Sequence, residues 1–212
     1  MAGYYQKTGC LDRPRPGQFR LRLEPPLINA AKTVENKSDE LNLSAWKGWQ
    51  MEKLSCFTHG TVVCDLESTE KYLAIHELLK EAPVFRDVDG IDHLEKAVVR
   101  REKLQSTGLG NGVAVAHGKT PSVGDIVMAL GISRRGIEFD AMDGKPVHFL
   151  FLVANPPGMQ LEYLLALSIL VRVIRDERFR EELLRCYDTV EIESRLHQAF
   201  RASMLRRGFP FN

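Results

Sequence analysis

The sequence predicts an α/β fold, a mixed β-sheet layered between helices. Three observations lead to it. Helical periodicity fills the stretch from 68 to 104, strand-like runs cluster between 113 and 154, and helical periodicity returns from 159 onward. The run VHFLFLVA (Val147–Ala154) is continuously apolar, the pattern of a central strand covered on both faces. Turn chemistry brackets that run, with Asp143-Gly144-Lys145-Pro146 before it and Pro156-Pro157-Gly158 after it.

The elements follow in chain order. GTVVCDL (Gly60–Leu66) is a short β-rich run. Ser68 stands where an N-cap belongs, and the next helix carries Leu73, Ile75, Leu78 and Leu79 largely on one face. VDGIDHLEKAVVRREKL repeats the theme. Ile91, Leu94, Ala97 and Val98 share a face, which puts Arg100 and Arg101 near the C-terminal end of that helix. Asp125–Ile132 and Gly136–Asp140 read as strands joined through SRRG by a hairpin or short connection. The most apolar helix starts near Met159. In DERFREELLRCY, Phe179, Leu183 and Tyr187 fall on one face. Asp188 and Glu191 have the spacing of a capping box for a last helix holding Ile192, Leu196 and Phe200.

Composition sets outer bounds. A chain of 212 residues is long enough for one domain with a real core and something extra. With 44% hydrophobic and 27% charged residues it has the balance of a globular protein. A net charge of +1 with scattered basic residues supplies no field for nucleic acid or a membrane surface. Residues 1–50 read as a weakly ordered extension. LDRPRPGQFRLRLEPPLIN carries four prolines and no sustained period, whereas Met51 opens a more regular region and is also a possible start. The domain is expected over 51–203, with a tail at 204–212.

Cys10, Cys56, Cys64 and Cys186 show no CxxC spacing and no zinc pattern, so they read as free thiols of a reducing compartment. No apolar signal region opens the chain, and Leu161–Ile174 carries Glu162 and Arg172 and is shorter than the ~18 residues of a membrane span. A cytoplasmic location without membrane insertion is expected. Asn36-Lys37-Ser38 and Asn42-Leu43-Ser44 then read as chance sequons.

TGLGNGVAVAHGKT (Thr107–Thr120) is the passage with chemical content. Gly108, Gly110 and Gly112 read GxGxG after a helix, which fails both the spacing and the context of the dinucleotide fingerprint. Gly118-Lys119-Thr120 ends like a Walker A motif, but the required glycine would be at 113, where Val113 stands. A helix C-cap followed by a tight turn explains one of these glycines, not three at alternate positions. Alternate glycines let the backbone approach a guest, and their N–H groups can form an anion nest, so a phosphoryl group is physically reasonable. His117 follows the strand-like VAVA and can present a neutral imidazole nitrogen as nucleophile. His59, His76, His93, His148 and His197 show no partner in the sequence and read as structural.

RREKLQSTGLGNGVAVAHGKT resembles the active-site signature of enzyme IIA domains of the fructose/mannitol class, including nitrogen-regulatory IIA proteins, of the bacterial phosphoenolpyruvate-dependent phosphotransferase system. FDAMDGKPVHFLFLVANPPGMQLEYLLALSILVRVI resembles the family's later hairpin, central strand and helix. The resemblance implies a single IIA-type domain from about Met51 to about Phe200, after an irregular N-terminal extension. It implies that His117 accepts a phosphoryl group from a phosphohistidine carrier of the HPr type and passes it to a IIB partner, or uses it as a regulatory signal. It assigns stabilisation of the phosphoryl group to Arg101 and a phosphoryl-binding loop to Thr107, Gly108, Gly110, Asn111 and Gly112. No cofactor or metal is implied.

Two positions depart from the family pattern. Ala116 stands where many members have proline, and Tyr163 stands where the family's second histidine is expected. A phenol can donate a hydrogen bond to a phosphoryl oxygen but cannot become a cation. The alternative reading is therefore a regulatory binding module with the IIA fold that transfers nothing. No IIC or cysteine-based IIB unit is visible in the sequence, which leans toward regulation or a separately encoded partner.

Overall fold

The structure is a computed structural model, and it describes residues 60–205. The expectations for residues 1–50, Cys10, Cys56 and His59 lie outside the described residues. Five strands form one mixed sheet: β1 (Val62–Val63), β2 (Gly108–Gly110), β3 (Val113–Lys119), β4 (Val127–Ile137) and β5 (Val147–Asn155). The order is β1-β4-β5-β3-β2. β5 runs parallel to β3 and antiparallel to β4, while β1 is parallel to β4 and β2 antiparallel to β3. The described helices are α1 (Lys71–Glu81), α2 (Ile91–Leu104), α3 (Gln160–Ile174), α4 (Glu177–Arg185) and α5 (Thr189–Leu205). A 3₁₀ turn (Pro83–Phe85) links α1 to α2.

β5 is central, as its apolar run requires. Successive side chains of a strand alternate between faces. Leu150, Leu152 and Ala154 enter the core shared with Ile75, Leu78, Leu94 and Val98 of α1 and α2. Phe149, Phe151 and Val153 enter the core shared with Ile169, Leu170, Leu183, Ile192 and Leu196 of α3 to α5. The result is helix, sheet and helix in layers, the predicted α/β class.

Several local expectations change. Glu70, not Ser68, caps α1: its carboxylate accepts from the N–H groups of Tyr72 and Leu73. The chain is still extended at that point, because Glu138 N–H donates to Thr69 O and Glu70 forms a bridge with Glu138. Leu73 is exposed, and Ala74 takes its place in the buried face. SRRG is not a connection between two strands. β4 runs straight through it, with an irregular register between Ile132 and Ile137 and Gly136 at φ +85°. This bulge projects Arg134, whose guanidinium donates to the carbonyls of Cys64, Leu184 and Cys186. α4 stops at Arg185, so Tyr187 leaves its face and stacks on Arg134 at 3.7 Å. Asp188 does cap α5, accepting from the N–H groups of Val190 and Glu191, but the Glu191 carboxylate pairs with Arg195 instead of closing the box. α5 holds Ile192, Leu196 and Phe200 as expected and continues through Leu205.

Candidate functional site

The site grows from the alternation of β3. Val113 and Val115 face the core beneath α3 to α5, while Ala114 and Ala116 face α1 and α2. His117 therefore points to the α3 side, in register with Val153 of β5. It lies inside the strand, which runs two residues further, and is half-buried. Tyr163, in the first turn of α3, meets it there. The ring centroids are 5.5 Å apart and the planes are tilted by 40°.

On the opposite face, Gly118 lets α2 lie directly against the strand. A Cβ at that position would sit 2.8 Å from Val98 Cγ2 and 3.0 Å from Val98 N, so only glycine permits the approach. β2 covers only the first half of β3: Gly110 and Gly108 pair with Val113 and Ala114, and Val115 N–H donates to Thr107 O. Close packing of α2 brings the charge of Arg101 into electrostatic reach of both His117 and Tyr163. Arg101 is itself steadied by donating Nη1–H to Gln105 O at 2.9 Å.

The protonation of His117 follows from its surroundings. Nδ1 stands 3.0 Å from Val115 O, and a carbonyl only accepts, so Nδ1 carries the proton and Nε2 keeps the lone pair. Burial pushes the imidazole pKa below 6.5, and the Arg101 charge pushes the same way. The Val115 hydrogen bond and the Glu102 charge act in opposition. The neutral ring is the ground state at neutral pH. Burial drives the Tyr163 phenol up to about 12, with Arg101 pulling partly back. Its hydroxyl is therefore a neutral donor, and it is buried without a hydrogen-bond partner.

The expected phosphoryl-binding loop divides. Thr107 lies beside the site, but both of its donors are engaged. Its N–H donates to Glu102 Oε1 at 3.0 Å and its hydroxyl to Glu102 Oε2 at 2.5 Å. Gly108 packs against Ala141. Gly110, Asn111 and Gly112 build the β2–β3 turn, with φ of +85°, 54° and +75°. Four steps of extended strand, roughly 13 Å, separate Val113 from His117, and Asn111 lies in the turn before Val113. An acidic side chain of the same chain meets this turn: Asn111 N–H donates to Asp143 Oδ2 at 2.8 Å. That bond is the main reason the Asp143 carboxyl lies below its ordinary range. These three residues shape a turn and do not surround His117.

Sequence reasoning missed Glu102. It is buried, and Lys71 Nζ lies 3.7 Å from Oε1 while bonding Asp140 Oδ2 at 2.7 Å. The signal was present, because Leu94, Val98 and Glu102 repeat every four residues on one helical face. Asn155 was also missed. It closes β5 on the His117 face and is the residue at which the apolar run ends.

Residues 55–199 match the family model described as the phosphoenolpyruvate-dependent sugar phosphotransferase system, EIIA 2. The chain belongs to this family. Among its EIIA relatives, the fructose-specific EIIABC component of Bacillus subtilis is 32% identical over 134 residues, covering 63% of this chain and 21% of that protein. The nitrogen regulatory protein of Bradyrhizobium diazoefficiens is 37% identical over 99 residues, covering 47% of this chain and 65% of that protein. The chain thus spans less than two thirds of the length of each. The crystal structure of the nitrogen regulatory protein IIA-Ntr from Neisseria meningitidis superposes with a TM-score of 0.60 at 31% identity, covering 65% of this chain and 93% of that one. No helix among the described residues of this EIIA domain is long and apolar enough to cross a membrane.

Proposed function

We propose that this EIIA-type domain is a phosphocarrier in which His117 Nε2 receives a phosphoryl group from a phosphohistidine of an HPr-type carrier. The bond from phosphorus to the donor histidine nitrogen breaks as the bond to Nε2 forms, and the donor ring leaves with the electron pair. The carrying observation is the hydrogen bond from Nδ1 to Val115 O, which fixes the tautomer that presents Nε2. Arg101 supplies positive charge to the transferring group, and the free Tyr163 hydroxyl offers it a hydrogen bond. The group then passes to a IIB partner or serves as a regulatory signal. Relatives named as a fructose-specific EIIABC component and as a nitrogen regulatory protein make both outlets reasonable.

The test is incubation with phosphoenolpyruvate, enzyme I and the HPr-type carrier. Intact mass is expected to rise by one phosphoryl unit, and a mass that never rises refutes transfer. One observation favours a second reading, a docking module without transfer. Tyr163 is a neutral phenol where the family pattern expects a histidine. Unchanged partner binding and phenotype in His117→Ala supports that reading.

A further inference from the structure

The end of β5 holds a buried donor that nothing in the fold uses. Asn155 is 2% exposed, and its Nδ2 has no hydrogen-bond partner. A buried amide N–H left unpaired is destabilising, so folding alone gives no reason to keep it. Its neighbours at that site are bonded: Asn155 O accepts from Thr120 N–H at 3.1 Å, which continues the ladder past Lys119.

Register fixes where this side chain points. β3 and β5 are parallel, with His117 opposite Val153 and Lys119 opposite Asn155. Alternation from Phe149, Phe151 and Val153 puts Asn155 on the face of His117 and α3. Strand spacing and rise place the two Cα atoms roughly 8 Å apart. Both strands end at this edge, where open α/β sheets bind ligands beyond the carboxyl ends of parallel strands.

Two further features lie on the same face. Tyr163 Oη is also a buried donor without a partner, and its ring contacts His117. α3 begins five residues after Asn155, and its N-cap Met159 offers no side-chain acceptor to the first-turn N–H groups. An unsatisfied helix N-terminus is itself attractive to a phosphoryl group.

From this geometry we infer that Asn155 is a phosphoryl-binding residue, whose amide donates to a phosphoryl oxygen on His117 beside the Tyr163 hydroxyl and the start of α3. The inference rests on the phosphocarrier reading and extends it to a residue outside the signature. Asn155 is unsatisfied in the unphosphorylated state and satisfied in the phosphorylated one, so it favours the phosphorylated state specifically. The bound oxygens take the place of the missing partner, and no proton or electron moves through Asn155.

The test compares wild type with Asn155→Leu, which keeps the size and removes both polar atoms, and with Asn155→Asp, which replaces the donor by a charge that repels phosphate. Each is phosphorylated through enzyme I and the HPr-type carrier. The rate of phosphohistidine formation is followed by intact mass, and the lifetime of the phosphohistidine by phosphorus NMR. Asn155→Leu is expected to melt no lower than wild type while forming phosphohistidine about 10- to 100-fold more slowly. Asn155→Asp is expected to be slower still. Wild-type rate and lifetime in a folded Asn155→Leu overturn the role of Asn155 and leave the phosphocarrier reading standing. A wild type that takes up no phosphoryl group overturns both. A fall in melting temperature of Asn155→Leu with transfer unchanged shows a structural residue and also overturns the inference.

Discussion

The two ends of β3 carry similar sequence cues and opposite chemistry. At the start of the strand, Gly110, Asn111 and Gly112 form a positive-φ turn in which Asn111 N–H donates to Asp143 of the same chain. Near its end, His117 Nε2 keeps a lone pair, and the nearby Tyr163 hydroxyl and Asn155 amide are buried with no partner. The turn has its polar groups satisfied and so explains itself as structure. The His117 end does not, and an unsatisfied buried donor indicates a missing ligand better than a glycine motif does.

The largest expected contrast is between substitutions at the two ends. His117→Gln abolishes the mass gain on incubation with the phosphorylated carrier, whereas Asp143→Asn leaves the rate of transfer within about twofold of wild type, as a change remote from the chemistry should. A comparable loss in Asp143→Asn would join the two ends into one site and break the comparison.

Arg101 comes next. Arg101→Gln is expected to slow phosphoryl transfer by about 100-fold, the scale of losing one electrostatic stabiliser. It also removes a charge that holds the His117 pKa down, so the imidazole titration followed by NMR moves upward, toward 6.5. Slower transfer with an unmoved titration contradicts the assigned proximity.

pH gives a smaller effect with a definite sign. The His117 pKa in the folded protein is held below 6.5 by burial, so the neutral nucleophile predominates above that pH. The transfer rate measured against pH is expected to fall as pH drops through the lowered, folded pKa, with its midpoint below 6.5. A midpoint above 6.5 would place His117 in a more solvated or more acidic setting than the one described.

Glu102 sharpens the comparison through stability. Glu102→Ala leaves Thr107 N–H and hydroxyl without their acceptor and removes a neighbour of the buried Lys71. A loss of about 2–4 kcal/mol is expected in denaturant unfolding, with Asp140 still bonding Lys71 and limiting the damage. Asp143→Ala at the exposed turn is expected to destabilise less than this.

Much of the fold was legible because burial on two faces leaves a plain record. The apolar run of β5 announced a central strand, and the four-residue repeats of α2 and α5 announced their buried faces. Local endings were less legible. Ser68 satisfied the pattern of a cap, but the bridge between Glu70 and Glu138 kept the chain extended past it, and that bridge joins residues 68 positions apart. Ser133–Gly136 looked like a turn, yet the ladder to β5 carries β4 through it as a bulge. Tyr187 fitted the α4 face by spacing, but α4 ends before it and Arg134 captures its ring.

The candidate site was legible as a signature and not as a cluster. The sequence by itself determined the α/β class, the family, and the pairing of His117 with Arg101 as the positions to examine. Each of those depends on residues near one another in the chain or on a long local pattern. Only the tertiary structure decided which polar groups are satisfied. Asp143 reaches Asn111 across 32 positions of sequence, and Asn155 meets the His117 face only because β3 and β5 pair in parallel in one register. Contacts of that range depend on register and on close approaches such as that at Gly118, and a shift of one residue would turn the Asn155 side chain to the opposite face of the sheet.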